Sequence, residues 1–169
     1  DILCVGETLI DFIGIQSEAP ISATKDYHRY LGGSPTNVAM NMARLGATVE
    51  MVASVGNDGF GQYMVSRLEE AGVGLHHLKT CDGLPSTTIF INRTEHTPEF
   101  IAYRGADAEI TQEQLPNHAL ERAKIYHTTC SVSYTHLRAH ETLMNLVCRL
   151  LLEKSSGYVV HVVCRSLAQ

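Results

Sequence analysis

Two adjacent glycines in front of a helical pattern are the part of this 169-residue sequence best suited to holding a ligand. Gly32 and Gly33 precede Ser-Pro-Thr-Asn at 34–37. A helix N-terminus offers free backbone N–H groups and the positive end of the helix dipole. Glycine lets a ligand approach the backbone closely, and Asn37 can add an amide from the first turn. The pair therefore predicts the floor of a polar site, although an isolated Gly-Gly before a helix is more often only a turn.

Asp11 is the carboxylate best placed to join such a site. It follows an apolar run, where a charged group needs a compensating role. A carboxylate can accept hydrogen bonds from two adjacent hydroxyls of a sugar, but Asp11 could also be a surface residue of a strand. Neither GxxxxGK[ST] nor GxGxxG occurs, and the glycines at 56, 59 and 61 have the wrong spacing for a nucleotide loop.

Strands and helices that could position these residues alternate from residue 36 onward, which predicts an α/β layered sheet. Two groups of strands, near 9–30 and 86–103, lack intervening helices and predict a small side sheet or flap. The hydrophobic patterns place strands at 2–5, 8–15, 25–30, 48–55, 75–80, 86–92, 99–103 and 125–129, and helices at 36–45, 63–70 and, interrupted near Pro116, 112–123.

Composition narrows the class of protein. The net charge of −5 argues against a nucleic-acid partner, and no apolar run is long enough to span a bilayer. The chain starts at Asp1 without a signal-peptide pattern, which predicts a trimmed N-terminus. Five scattered cysteines without a CxxC pair predict buried free thiols and a cytoplasmic location.

The chain resembles the N-terminal half of the ribokinase-like (PfkB) sugar kinases, and within them the fructokinases and 2-keto-3-deoxygluconate kinases. The resemblance covers roughly residues 2–130, with motifs in matching order and spacing. The matching stretches are VGETLIDF at 5–12, GGSPTNVAMNMARLGA at 32–47, VGNDGFG at 55–61, LEEAGV at 68–73 and YRGADAEIT at 103–111.

This resemblance implies a ribokinase-like layered αβα sheet with a small β lid, present as an incomplete domain over residues 1–130. Lid segments would span about 13–30 and 86–103. The substrate would be a small-molecule sugar, bound by Asp11, Gly32, Gly33, Asn37 and Arg104. Arg104 could equally be a surface residue paired with Asp107. A homodimer formed through the lid is compatible with the family.

The family phosphorylates a sugar hydroxyl with ATP and Mg²⁺, using a C-terminal GAGD-type motif that supplies the catalytic Asp. No GAGD stretch occurs in the 169 residues, so the resemblance assigns no catalytic residue here, and neither ATP nor Mg²⁺ is expected to bind fully. The expected lineage is a carbohydrate kinase for fructose or a related keto sugar. The alternatives are a sugar-binding module and an inactive truncated product.

Residues 131–169 are expected to be a non-native tail, because SVSYTHLRAHETLMNLVCRLLLEK at 131–154 resembles a read-through segment. Its apolar spacing still predicts an amphipathic helix over 136–153 and a strand over 158–163. His136 and His140 lack the HExxH arrangement of a zinc site.

Overall fold

A computed structural model describes residues 2–95, 97–115, 117–130 and 159–164 of the chain. These residues form nine strands and three α-helices, with short 3-10 turns between some of them. The elements are β1 (Ile2–Val5), β2 (Leu9–Ser17), β3 (Tyr27–Gly32), α1 (Ser34–Arg44), β4 (Val49–Gly56), α2 (Gly59–Glu70), β5 (Gly74–Cys81), β6 (Thr88–Arg93), β7 (Phe100–Tyr103), α3 (Asn117–Arg122), β8 (Ile125–Cys130) and β9 (Val159–Cys164).

The larger sheet consists of five parallel strands in the order β5-β4-β1-β8-β9. β1 is central, and its Ile2 aligns with Val49 of β4 on one side and with Ile125 of β8 on the other. Every residue of β1 is buried, and so is almost all of β4. Strands covered on both faces read as continuous apolar runs, which is the pattern seen in both segments.

Helices cover the two faces of this sheet. Because side chains alternate along a strand, Leu3 of β1 faces a cluster that includes Leu120 of α3. Its neighbour Cys4 faces the opposite cluster, with Met40 of α1 and Leu68 of α2. The protein is therefore a layered αβα structure, and the predicted fold class is confirmed.

The smaller sheet has four strands in the order β3-β2-β6-β7. β2 runs antiparallel to β3 and parallel to β6, and β7 closes the sheet as an antiparallel edge. The sheet includes the segments predicted as a lid, but β2 starts at Leu9, before the predicted boundary near 13.

Helix α2 starts where a side chain offers a partner for one of its first N–H groups. α2 begins at Gly59 rather than at the predicted Tyr63, because the Asp58 carboxylate accepts from the N–H of Gly61 at 2.8 Å. The same carboxylate accepts from the N–H and the hydroxyl of Ser86, at 2.7 and 2.8 Å. Burial alone would raise the pKa of Asp58, but these donors lower it overall. Asp58 thus ties α2 to the segment that leads into β6.

Changing Asp58 to alanine is expected to lower the free energy of unfolding by about 2 kcal/mol, because the cap and the Ser86 link are lost together. Asp58→Asn retains an acceptor and should lose less. Since the folded-state pKa lies below its ordinary value, the wild-type advantage exists above that value and fades as the pH falls. Urea unfolding of the three chains at pH 7 and pH 3.5 measures this. An alanine variant as stable as wild type would contradict it.

Within residues 131–169 the structure describes a single strand, β9. β9 pairs in parallel with β8, with Ile125 opposite Val159, which confirms the strand predicted over 158–163. The helix predicted over 136–153 and the two histidines in it lie outside the described residues. A non-native origin of residues 131–169 and a domain boundary at residue 130 stay predictions.

Two further predictions from the sequence concern the cysteine thiols and membrane-spanning segments. Cys4 and Cys81 are buried free thiols, and burial raises the pKa of Cys4 to about 12, so its thiol stays protonated. Among the helices of the described ranges, none combines the length and the apolar character needed to cross a bilayer.

Candidate functional site

Asp11 and the glycine pair meet where β2 and β3 run side by side. In this antiparallel register Leu9 lies opposite Gly32, and Asp11 lies opposite Tyr30. The Asp11 side chain leans across to Gly32, so that a Cβ at Gly32 would overlap its Oδ2 atom. Glycine at 32 therefore provides the space that the Asp11 carboxylate occupies. We call Asp11, Gly32 and the adjoining Gly33 the glycine floor.

The Asp11 carboxylate is half-buried, and no group within the described ranges donates a hydrogen bond to it. Burial raises the pKa of Asp11 to about 6, because charge is poorly solvated at this position. Near neutral pH it is a largely ionised acceptor without a protein donor. Such a group is suited to accept hydrogen bonds from a polar ligand.

Gly33 adopts a conformation that few other residues tolerate. Its φ is +104°, and a Cβ there would overlap the carbonyl oxygen of Glu7. That carbonyl accepts a hydrogen bond from the Thr36 hydroxyl at 2.9 Å. The turn before α1 is thus attached to the residues that follow β1, and this attachment positions the glycine floor.

Glu7 is a buried carboxylate that the sequence reasoning did not single out. It is 5% exposed and follows the carboxyl end of β1. Burial raises its pKa, and the N–H groups of Glu7 and Ser34 and the charge of Arg104 oppose that rise. The signal in the sequence is its position directly after a buried parallel strand, the edge at which α/β proteins bind ligands.

Arg104 is held by a buried acid. Its Nε lies 3.2 Å from Oδ1 of Asp107, and its Nη2 contacts Oδ2 of the same carboxylate. The Asp107 side chain has no exposed surface, whereas 21% of the Arg104 side chain is exposed. Asp107 also accepts from the Thr87 hydroxyl, which in turn accepts from the N–H of Gly105 at 2.8 Å. The pairing with Asp107 weighed from the sequence is present, in a more buried form than a surface pair.

Asn37 stands apart from this arrangement. Its backbone N–H donates to the Gly33 carbonyl at 2.9 Å in the first turn of α1. Its side chain is exposed and lines a separate cleft between α1, α2 and the edge strand β3. The structure therefore joins Asp11, Gly32 and Gly33 directly and brings the Arg104 charge near Glu7. A sugar contact for each predicted residue stays a prediction.

Comparison with known proteins shows the family to which the chain belongs. The sequence profile of the pfkB family of carbohydrate kinases matches residues 1–153. The match therefore continues past residue 130, where the resemblance seen in the sequence was expected to end. The chain is 32% identical over 127 residues to an ATP-dependent 6-phosphofructokinase of Thermoanaerobacterium thermosaccharolyticum, covering 75% of this chain and 39% of that protein. It is 31% identical over 167 residues to a 5-dehydro-2-deoxygluconokinase of Clostridium perfringens, covering 95% of this chain and 47% of the relative.

Among solved structures, the chain resembles a fructokinase of Halothermothrix orenii with a TM-score of 0.71 and 28% identity. The alignment covers 76% of this chain and 46% of that one. The chain thus spans less than half the length of these three proteins. With the match extending over most of its residues, the chain belongs to the pfkB family of carbohydrate kinases.

Proposed function

We propose that this chain is the sugar-binding part of a kinase that phosphorylates a hydroxyl of fructose or a related keto sugar. The observation that carries the proposal is the Asp11 carboxylate, half-buried on the glycine floor and without a donor from the described residues. A sugar with two adjacent hydroxyls would supply the missing donors. Each hydrogen bond to a charged acceptor contributes about 1.5–3 kcal/mol.

The remaining residues of the site would act on the same sugar in different ways. Gly32 would leave room for the Asp11 carboxylate, and Gly33 would fix the turn beside it. The Asn37 side chain lines a separate cleft, so we assign it no contact with this sugar. Arg104, fixed by Asp107, would present its exposed edge to an oxygen of the sugar. Glu7 would act indirectly, because its backbone carbonyl holds Thr36 and so the turn that carries Gly33.

The choice of a keto sugar follows from the relatives. Their names include fructokinase, 6-phosphofructokinase and 5-dehydro-2-deoxygluconokinase, and substrates of these three types form the panel to test. The alternatives are a sugar-binding module without catalysis and an inactive product. Both share the glycine floor with the kinase and differ from it only in phosphoryl transfer.

We assign no residue of this chain to ATP or Mg²⁺. The 169 residues contain no GAGD stretch, and this motif is the one expected to supply the catalytic Asp. We therefore propose that these residues alone transfer no phosphate, and that ATP and Mg²⁺ serve the kinase once such a motif is joined to them. A cytoplasmic location and a homodimer formed through the smaller sheet complete the proposal. In support of the dimer, Ile101 and Tyr103 on the edge strand β7 are exposed.

Calorimetric titration of the 169-residue chain with fructose, fructose 6-phosphate and 5-dehydro-2-deoxygluconate tests the binding part. We expect at least one to bind and ribose to bind more weakly. A coupled ADP-release assay of the same chain with MgATP should show no turnover. The same assay on a chain extended through a GAGD motif should show it. Absence of binding by every sugar would overturn the proposed site, and turnover by the 169 residues would overturn the assignment of catalysis to other residues.

A further inference from the structure

Three arginines from three different elements line the cleft that Asn37 borders. Arg29 comes from β3, Arg44 from the last turn of α1 and Arg67 from the last turn of α2. The cleft has a volume of about 240 Å³. We call it the arginine cleft.

The other residues of the arginine cleft add donors and no negative charge. Asn37 and Asn41 are one helical turn apart on α1 and bring two amide groups, and Tyr30 and Tyr63 bring hydroxyls. Leu31 and Met40 supply its apolar part. No aspartate or glutamate belongs to the lining.

The guanidinium of Arg29 is oriented by an aromatic ring. Its central carbon lies 3.9 Å from the centre of the Tyr63 ring, which is a cation–π contact. A stacked arginine loses less freedom when its edge binds an oxyanion than a flexible lysine would.

The other two arginines are not neutralised inside the cleft. Arg67 forms an ion pair with Glu70 of the same helix, but both side chains are substantially exposed, at 41% and 56%. Such surface pairs contribute little and exchange readily with other partners. Within the described residues, Arg44 has no carboxylate partner. Its position at the C-terminal end of α1 favours a cation but leaves the guanidinium edge unused.

This concentration of positive charge contrasts with the net charge of the whole chain, which is −5. Three guanidinium groups around one small cleft repel each other unless an anion lies between them. Arginine pairs with phosphate through two parallel N–H···O bonds, and this geometry matches its planar fork. The cleft thus combines charge, fixed orientation and amide donors suited to a tetrahedral dianion.

We propose that the arginine cleft binds a phosphate group, either as free phosphate or as the phosphate of a monoester. This site is distinct from the glycine floor, and the inference does not rest on the proposed kinase function. Arg29 and Arg44 supply the paired N–H donors, Arg67 supplies a third charge, and the amides of Asn37 and Asn41 complete the set.

The test is calorimetric titration of the 169-residue chain with inorganic phosphate, fructose 6-phosphate and fructose at low ionic strength. Changing Arg44 or Arg29 to glutamine should each weaken phosphate binding by about tenfold or more, since each removes charged hydrogen bonds. The matched control is Arg93→Gln, which removes one exposed arginine of β6 outside the cleft and should leave the affinity unchanged. Fructose binding, where present, should be insensitive to Arg44→Gln.

These titrations distinguish free phosphate from a phosphate monoester, and the arginine cleft from the glycine floor. If fructose 6-phosphate competes with inorganic phosphate and depends on Arg44, the monoester is a ligand of the cleft. If only inorganic phosphate depends on Arg44, free phosphate is the ligand. No phosphate binding at millimolar concentration, or an equal loss in Arg93→Gln, would overturn the proposal. Loss of fructose binding alone would count against the glycine floor and leave the cleft standing.

Discussion

Changing Asp11 to asparagine is expected to weaken sugar binding about a hundredfold while making the folded chain more stable at pH 7. The loss of affinity follows because two hydrogen bonds to a charged acceptor become weaker ones to a neutral amide. The gain in stability follows because the wild-type carboxylate is half-buried and no residue that the structure describes donates a hydrogen bond to it. Calorimetry with the best sugar of the panel and urea unfolding at pH 7 measure the two effects.

The pH dependence of the stability gained by Asp11→Asn tests whether the ionised carboxylate causes it. The folded-state pKa of Asp11 is about 6, above its ordinary value of 3.8. Between these values the folded chain keeps the proton that the unfolded chain releases, so wild-type stability declines through this window as the pH rises. Allowing for the exposed part of the carboxylate, the asparagine variant should gain about 1–2 kcal/mol above pH 6 and nothing near pH 3.5. An equal gain at both pH values would show that the gain in stability does not come from removing the ionised Asp11 carboxylate.

Changing Gly33 to alanine should destabilise the fold by about 2–5 kcal/mol. The backbone at this residue has a φ of +104°, which costs an L-residue roughly 1–2 kcal/mol. The added methyl group would also displace the Glu7 carbonyl and break its hydrogen bond from the Thr36 hydroxyl, which adds about 1–3 kcal/mol. Urea unfolding monitored by circular dichroism gives the difference.

Gly46 offers the matched control for this substitution. It too has a positive φ, +89°, but a Cβ there meets no atom within 4 Å. Gly46→Ala should therefore cost only the backbone part, about 1–2 kcal/mol. If both alanine variants lost the same stability, the close approach to Glu7 would carry no energetic weight.

The order and type of most elements could be predicted because their hydrophobic patterns are strong. The continuous apolar run at 48–55 became β4, and the alternation of strands with helices gave a parallel sheet. The start of α2 was missed because the first turn of that helix contains two glycines and is stabilised by Asp58. A cap of this kind overrides weak local propensity, and its link to Ser86 is a tertiary contact.

The glycine floor was only partly predictable. The sequence pointed to Asp11 and the glycine pair, but the reason for Gly32 is the Asp11 side chain on the neighbouring strand. Glu7 was missed because an acid directly after a strand resembles an ordinary turn residue until the burial around it is known. The arginine cleft could not be predicted from the sequence, because its three arginines are distant in the chain. They lie close together only when α1, α2 and β3 are packed.

The central position of β1 has a consequence for how the chain is made. Among these strands β1 is translated first, yet its two neighbours are β4 and β8, which start at Val49 and Ile125. At roughly 5–20 residues per second, one edge of this buried strand waits several seconds for its partner during translation. Over that interval the nascent chain carries an unpaired apolar strand edge, the kind of edge to which strands of other chains can pair.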